Sequence, residues 1–197
     1  MNSKTTEEKK MLRKVMRSRL KNYFSANDGK IDSELAAGKI LELDEFKSSE
    51  IVLAFLSAKN EIDCQLIIDI ALVTGKIVAV PKVKSESDMD FFILNPQMPL
   101  ESQVAQGSFG IREPKAELLP LNTENLSEKD VFVIVPGLSF TKNGFRLGKG
   151  KGFYDRYIQR LKSSGAKLFL SGICFPFQIE DSIPTDDFDE KMDFVAY

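Results

Sequence analysis

Ile51-Val-Leu-Ala-Phe-Leu56, Ile77-Val-Ala-Val80 and Val131-Phe-Val-Ile-Val135 are three short apolar runs with no polar alternation. A strand with one wet face alternates in polarity, whereas a strand covered on both faces reads as a continuous apolar run, the habit of parallel sheets. Between the first two runs, residues 63–74 carry a helical pattern that stops at Gly75, a C-cap glycine, and Pro81 is expected to close the second run. This is a βαβ unit. A second unit follows from 131–135 through a helix at 153–164, with Tyr157, Ile158 and Leu161 inward, to a strand at 167–174. The expected fold is therefore α/β: a single-domain, three-layer sandwich over residues 1–197, with a mostly parallel sheet flanked by helices.

Working outward, residues 6–24 form an amphipathic helix with Leu12, Val15, Met16, Leu20, Tyr23 and Phe24 on one broad face and Lys9, Arg13 and Arg17 along its edge. Asn27-Asp-Gly29 breaks it, and a helix over 31–46 with Ile31, Leu35, Ile40 and Leu43 inward is expected next. Residues 89–94 and 192–196 read as further strands. The segment 95–129 is too long for a plain connection, and such segments often carry function. In a doubly wound sheet ligands sit beyond the carboxyl ends of the strands. Loops 56–63, 81–88 and 136–152 all start there.

Composition narrows the chemistry. The chain has 197 residues, 43% hydrophobic and 28% charged, with net charge −2 and a pI near 5.4. That balance disfavours a nucleic-acid binder. Two distant cysteines, Cys64 and Cys174, have neither zinc-site spacing nor the density of a disulfide framework. No histidine is present, which excludes a histidine base, a histidine metal ligand and a Ser-His-Asp triad. No apolar run is long enough to span a membrane, and the N-terminus lacks a signal-type core, so a cytoplasmic protein is expected.

The chemistry concentrates between Lys142 and Arg160. Lys142, Arg146, Lys149, Lys151, Arg156 and Arg160 stand there against the single acid Asp155, in a chain that is acidic overall. Gly144, Gly148, Gly150 and Gly152 are interleaved, after a strand and before a helix. Glycines let the backbone approach a ligand, the helix start adds partial positive charge, and Lys and Arg add full charges, a combination suited to several phosphates. The loop is neither a Walker A sequence nor Gly-x-Gly-x-x-Gly, since no Gly-Lys-Ser/Thr ends it and Phe153 stands where the third glycine of the fingerprint would fall.

Residues 135–156, VPGLSFTKNGFRLGKGKGFYDR, resemble the signature of the 5-formyltetrahydrofolate cyclo-ligase (methenyltetrahydrofolate synthetase) family. Four further segments resemble the same family in the same order: Lys9-x-x-Leu-Arg13, Phe55-Leu-Ser-x-x-x-Glu61-Ile-Asp63, Phe109-Gly-Ile-x-Glu-Pro114 and Asp189-x-x-Met-Asp193-x-Val195. Thr141 departs from it by replacing an Asp common in the family, and Phe188 stands where the family often has His. The resemblance implies ATP-dependent closure of 5-formyltetrahydrofolate to 5,10-methenyltetrahydrofolate, with ADP and phosphate released through a phosphorylated formyl group. Mg²⁺ would be the cofactor, and the partners ATP and 5-formyltetrahydrofolate, with no nucleic acid or membrane and a monomer or weak homodimer.

Roles follow from that resemblance. Arg146, Lys149 and Lys151 would be catalytic. ATP would meet Lys9, Arg13, Arg146, Leu147, Gly148, Lys149, Gly150, Lys151, Gly152, Phe153 and Tyr154. The folate would meet Leu56, Glu61, Pro136, Gly137, Leu138, Lys149, Lys151, Phe153 and Tyr154. Asp155 and Asp189 would hold the metal. Residue by residue, plainer readings stand beside these. Lys9 and Arg13 fit a solvated helix face, Phe153 and Tyr154 fit core packing, Glu61 fits an acid near the next helix start, and Asp155 fits a helix-terminus charge. A non-catalytic phosphate-ligand sensor and a sugar-phosphate isomerase or deaminase are the alternatives to the ligase.

Overall fold

The computed structural model describes residues 3–107 and 111–197, so Phe109 and Gly110 of the third family-like segment lie outside the described residues. The chain opens with α1 (Ser3–Tyr23), α2 (Lys30–Leu41) and α3 (Asp44–Ser48), then runs through β1 (Ile51–Leu53), α4 (Gln65–Val73), β2 (Ile77–Val83) and β3 (Met89–Ile93). The middle holds α5 (Leu100–Gln103), β4 (Val104–Gln106), β5 (Arg112–Pro114) and β6 (Asp130–Val135). Then come β7 (Ser139–Phe140), β8 (Arg146–Leu147), α6 (Phe153–Ser163), β9 (Lys167–Ile173) and β10 (Phe194–Ala196).

Six strands form the main sheet in the order β10-β9-β6-β1-β2-β3. All neighbours are parallel except β2 and β3, an antiparallel edge hairpin. The apolar runs are continuous because both faces are covered. Val52, Phe132 and Ile134 join the core under α1 to α4, with Met16, Ala36, Ile40, Phe46 and Ile67. Their neighbours Ile51, Leu53, Val131, Val133 and Val135 join the opposite core, under Tyr157, Ile158 and Leu161 of α6. The layers are thus helices, sheet and helix, as the patterning predicts.

Three local expectations need correction. The helix over 31–46 is two helices, and Ile31 and Leu35 are 73% and 62% exposed. The buried stripe of α2 is Ser33, Ala36, Ala37 and Ile40, because small residues let that helix approach the layer beneath it. The strand over 51–56 stops pairing at Leu53, while Phe55 and Leu56 stay buried beyond it. Pro81 does not close β2 but pairs in register with Phe91. Past Ala79, β1 no longer runs alongside, so β2 continues as half of an edge hairpin, where proline is tolerated.

Both cysteines are reduced and buried. Burial, with Asp63 and Glu61 nearby, pushes the Cys64 thiol well above its usual range, and burial pushes Cys174 up to about 12. A thiol whose folded pKa exceeds its unfolded one keeps its proton in the fold after the unfolded chain has lost it. Stability is therefore complete below the unfolded value, about 8.5, and falls as pH rises toward the folded value. Urea midpoints are expected to decline from about pH 9 upward, and the decline to flatten in a Cys64→Ala, Cys174→Ala variant. Native protein is expected to react with a thiol reagent only as fast as it opens.

Candidate active site

Val135 ends the central strand β6, and the chain then makes the small β7–β8 hairpin before reaching α6. Thr141 shapes that hairpin: its hydroxyl accepts from the Phe145 N–H at 3.0 Å, and the residue is buried. Gly144 is obligatory there, with φ +95° and the Met192 carbonyl 2.1 Å from where a Cβ would stand. These contacts deliver Arg146 and the glycine-rich segment to the carboxyl edge of the sheet, over a cavity of about 450 Å³.

One part of the cavity is apolar, formed by Phe55 and Leu56 after β1, Pro81 and Val83 of β2, Met89 of β3 and Phe153 of α6. The rest is strongly charged. Six basic side chains reach it: Lys9, Arg13, Arg112, Arg146, Lys149 and Lys151. Three of them are neutralised within the site. Lys9 is buried between Asp186 and Asp189 at 2.8 and 2.5 Å. Arg146 binds Asp155 at 2.5 Å, with 5% and 19% of the two side chains exposed. Lys149 pairs with Glu61, whose carboxylate also accepts from the Ala58 N–H at 3.0 Å. Lys151 is exposed and makes no ion pair among the described residues.

Arg13 is held differently. Its Nε donates to the Gly148 carbonyl at 3.0 Å. Burial, followed by Arg17, lowers its pKa, and Asp189 opposes them. Two buried polar atoms of cavity-lining side chains have no hydrogen-bond partner among the described residues, Arg146 Nε and the Tyr154 hydroxyl. Burial, then Cys64 and Glu61, push the Tyr154 phenol far up, so it remains a hydrogen-bond donor. Both atoms are donors that a bound anion or carbonyl could satisfy.

Most residues named from the sequence converge here: Lys9, Arg13, Leu56, Glu61, Pro136, Arg146, Gly148 to Gly152, Phe153, Tyr154, Asp155 and Asp189 all line the cavity. Three do not. Leu147 is 1% exposed, because in the short strand β8 it alternates inward while Arg146 turns to the site. Gly137 and Leu138 face a separate cavity of about 20 Å³ behind Pro136. Their carbonyls accept from Gln178 Nε2 at 3.2 and 3.0 Å. The chain turns away from the site immediately after Pro136.

Other lining residues escaped the reading. Asp186 and the exposed Phe188 come from the segment before Asp189. Ile111 just before β5, and Arg112 and Glu113 on it, arrive from the long 95–129 segment, whose described residues hold α5, β4 and β5 rather than a plain loop. The sequence signal for Asp186 was its place in an acidic cluster, and that for Arg112 its place in a motif. Neither carried direction.

Asp155 and Asp189 sit close together, since the Glu190 N–H points to Asp155 Oδ1 at 3.3 Å. Among the described residues no three acidic, Cys or His side chains are grouped as a metal centre. An all-carboxylate pair nevertheless suits Mg²⁺, which commonly takes one or two protein carboxylates and completes its shell with phosphate and water.

A mostly parallel sheet with a basic, glycine-rich loop at its carboxyl edge, facing an apolar wall, defines an α/β protein whose main cavity is cationic on one side and apolar on the other. The profile of the 5-formyltetrahydrofolate cyclo-ligase family matches residues 5–197, and the chain belongs to that family. The 5-formyltetrahydrofolate cyclo-ligase of Mus musculus is 31% identical over 192 residues, covering 96% of this chain and 93% of the relative. That of Escherichia coli K12 is 31% identical, covering 82% and 85%. The 5,10-methenyltetrahydrofolate synthetase of Aquifex aeolicus superposes with a TM-score of 0.72 at 28% identity, covering 95% of this chain and 88% of that one. The synthetase of Mycoplasma pneumoniae has a TM-score of 0.69 at 20% identity, a likeness of fold. No helix among the described residues is long and apolar enough to cross a membrane.

Proposed function

We propose that the chain converts 5-formyltetrahydrofolate and ATP to 5,10-methenyltetrahydrofolate, ADP and phosphate. The observation that carries this reading is the division of one cavity into a cationic glycine loop and an apolar wall, with the loop's Lys151 in no ion pair among the described residues. The formyl oxygen attacks the γ-phosphorus and ADP leaves. N10 of the folate then adds to the activated carbon, the C–O bond to phosphate breaks, and the departing phosphate carries away the N10 proton as the ring closes. Neither step needs a histidine, because phosphoryl transfer rests on positioning and charge stabilisation. Lys151 and Arg146 stabilise charge at the transferring phosphoryl group, Phe153 and Leu56 bracket the ring system, and Glu61 and Tyr154 offer an acceptor and a donor to its polar edge. Asp155 and Asp189 would hold Mg²⁺, which supplies charge neutralisation to the phosphates.

The apolar wall disfavours a sugar-phosphate isomerase, whose substrate is polar throughout. A pure binding module would give no product. Protein mixed with ATP, Mg²⁺ and 5-formyltetrahydrofolate is expected to develop the methenyl chromophore with equimolar ADP. Absence of both products from folded protein refutes the ligase reading. Ligand binding without turnover favours the module.

A further inference from the structure

The three alternating glycines of the loop have a common feature: an arginine lies where each side chain would stand. A Cβ on Gly148 would meet Arg146 Nη1 at 2.8 Å, one on Gly150 would meet Arg13 Cζ at 3.3 Å, and one on Gly152 would meet Arg156 Nη1 at 2.7 Å. Gly150 and Gly152 also take positive φ, +105° and +66°. Arg13 and Arg146 line the cavity, whereas Arg156 stands outside it. Its nitrogens are engaged with backbone. Nε donates to the Ser87 carbonyl at 2.8 Å, in the turn between β2 and β3, and Nη2 donates to the Lys151 carbonyl at 2.8 Å. The guanidinium also lies 5.6 Å from the centre of the Phe153 ring. One helical turn on, Arg160 donates to the Met89 carbonyl at 3.1 Å and to the Asp90 carboxylate.

We propose that Arg156 is a positioning residue for the phosphate loop: its guanidinium fork ties the Lys151 carbonyl to the β2–β3 turn and so fixes Lys151 and Phe153 against the hairpin that carries Val83 and Met89. The effect on turnover rests on the ligase reading above; the effect on loop order does not. Two carbonyls from separate segments require donors at two corners of one rigid plane, which arginine has and the compact lysine ammonium lacks. Arg156 therefore acts through geometry rather than as one more cation for phosphate. A misplacement of about 1 Å at a reacting group can cost about 100-fold in rate.

The test compares Arg156→Lys and Arg156→Ala with the parent chain. Both variants are expected to lose about 10- to 100-fold in kcat, with KM for ATP raised and KM for 5-formyltetrahydrofolate changed less. Added guanidinium ion is expected to restore part of the Arg156→Ala rate, against a sodium chloride control of equal ionic strength. Amide exchange over 148–153 is expected to quicken in both variants, while exchange in β1 and β6 stays unchanged. An Arg156→Lys variant with parental kcat and parental exchange over 148–153 overturns the proposal, because charge would then suffice. If the parent itself gives no methenyl product, the ligase reading fails, and the exchange data alone still decide the loop-positioning role.

Discussion

Replacing Lys151 with alanine is expected to lower turnover about 10²- to 10³-fold, the scale seen when one preorganised charge-stabilising donor is removed. The fold is expected to survive, because this side chain is exposed and pairs with no acid among the described residues. That freedom distinguishes it from its neighbours. Lys9, Arg146 and Lys149 each hold a carboxylate already, so part of their charge is spent inside the protein. Lys151 alone of the two loop lysines is available without breaking an ion pair. Steady-state rates with ATP and 5-formyltetrahydrofolate check this, together with an unfolding curve to confirm an unchanged midpoint. A fall of less than about tenfold would remove Lys151 from the charge-stabilising role.

Arg146→Met is expected to cost both stability and activity. The guanidinium is nearly fully buried, binds Asp155 at 2.5 Å and donates to the Pro136 carbonyl at 3.2 Å. Removing it strands the Asp155 carboxylate in a poorly solvated place, and breaking a buried pair from one side costs about 3 kcal/mol or more. Replacing both partners, Arg146→Met with Asp155→Asn, removes the stranded charge, and most of the lost stability is expected to return. Activity is not expected to return with it, because the double variant still lacks the cation next to the glycine loop and the carboxylate of Asp155. Denaturant unfolding and turnover measured on the same three proteins, the parent, Arg146→Met and the double variant, separate the two effects. A double variant no more stable than Arg146→Met would show that the pair is not the source of the loss.

Much of this architecture was legible before any coordinates. The three apolar runs announced strands covered on both faces, and Gly75 marked the end of α4. The alternating Gly and Lys residues announced a basic loop that lines the main cavity. Legibility failed where small residues decided the packing. Ala36 and Ala37 carry the buried stripe of α2 while the larger Ile31 and Leu35 remain exposed, so size misled where shape governed. It failed again at Pro81, since tolerance of a proline depends on whether a neighbouring strand runs beside it.

The amino-acid sequence by itself determined the three-layer α/β plan, the place of the basic glycine-rich loop at the carboxyl edge and a supply of charge limited to Lys, Arg and carboxylates, because periodicity and residue inventory are properties of the chain. Partnerships were decided only by the tertiary structure. The sequence could not pair Lys9 with Asp186 and Asp189, or Lys149 with Glu61, since these contacts join segments that meet only when the sheet closes. The same holds for the glycines at 148, 150 and 152. Read along the chain they are flexible backbone facing phosphate; in the fold, each leaves room for an arginine, and the arginines come from α1, β8 and α6. A missing side chain is visible in sequence, but the group that occupies its space is fixed by packing alone.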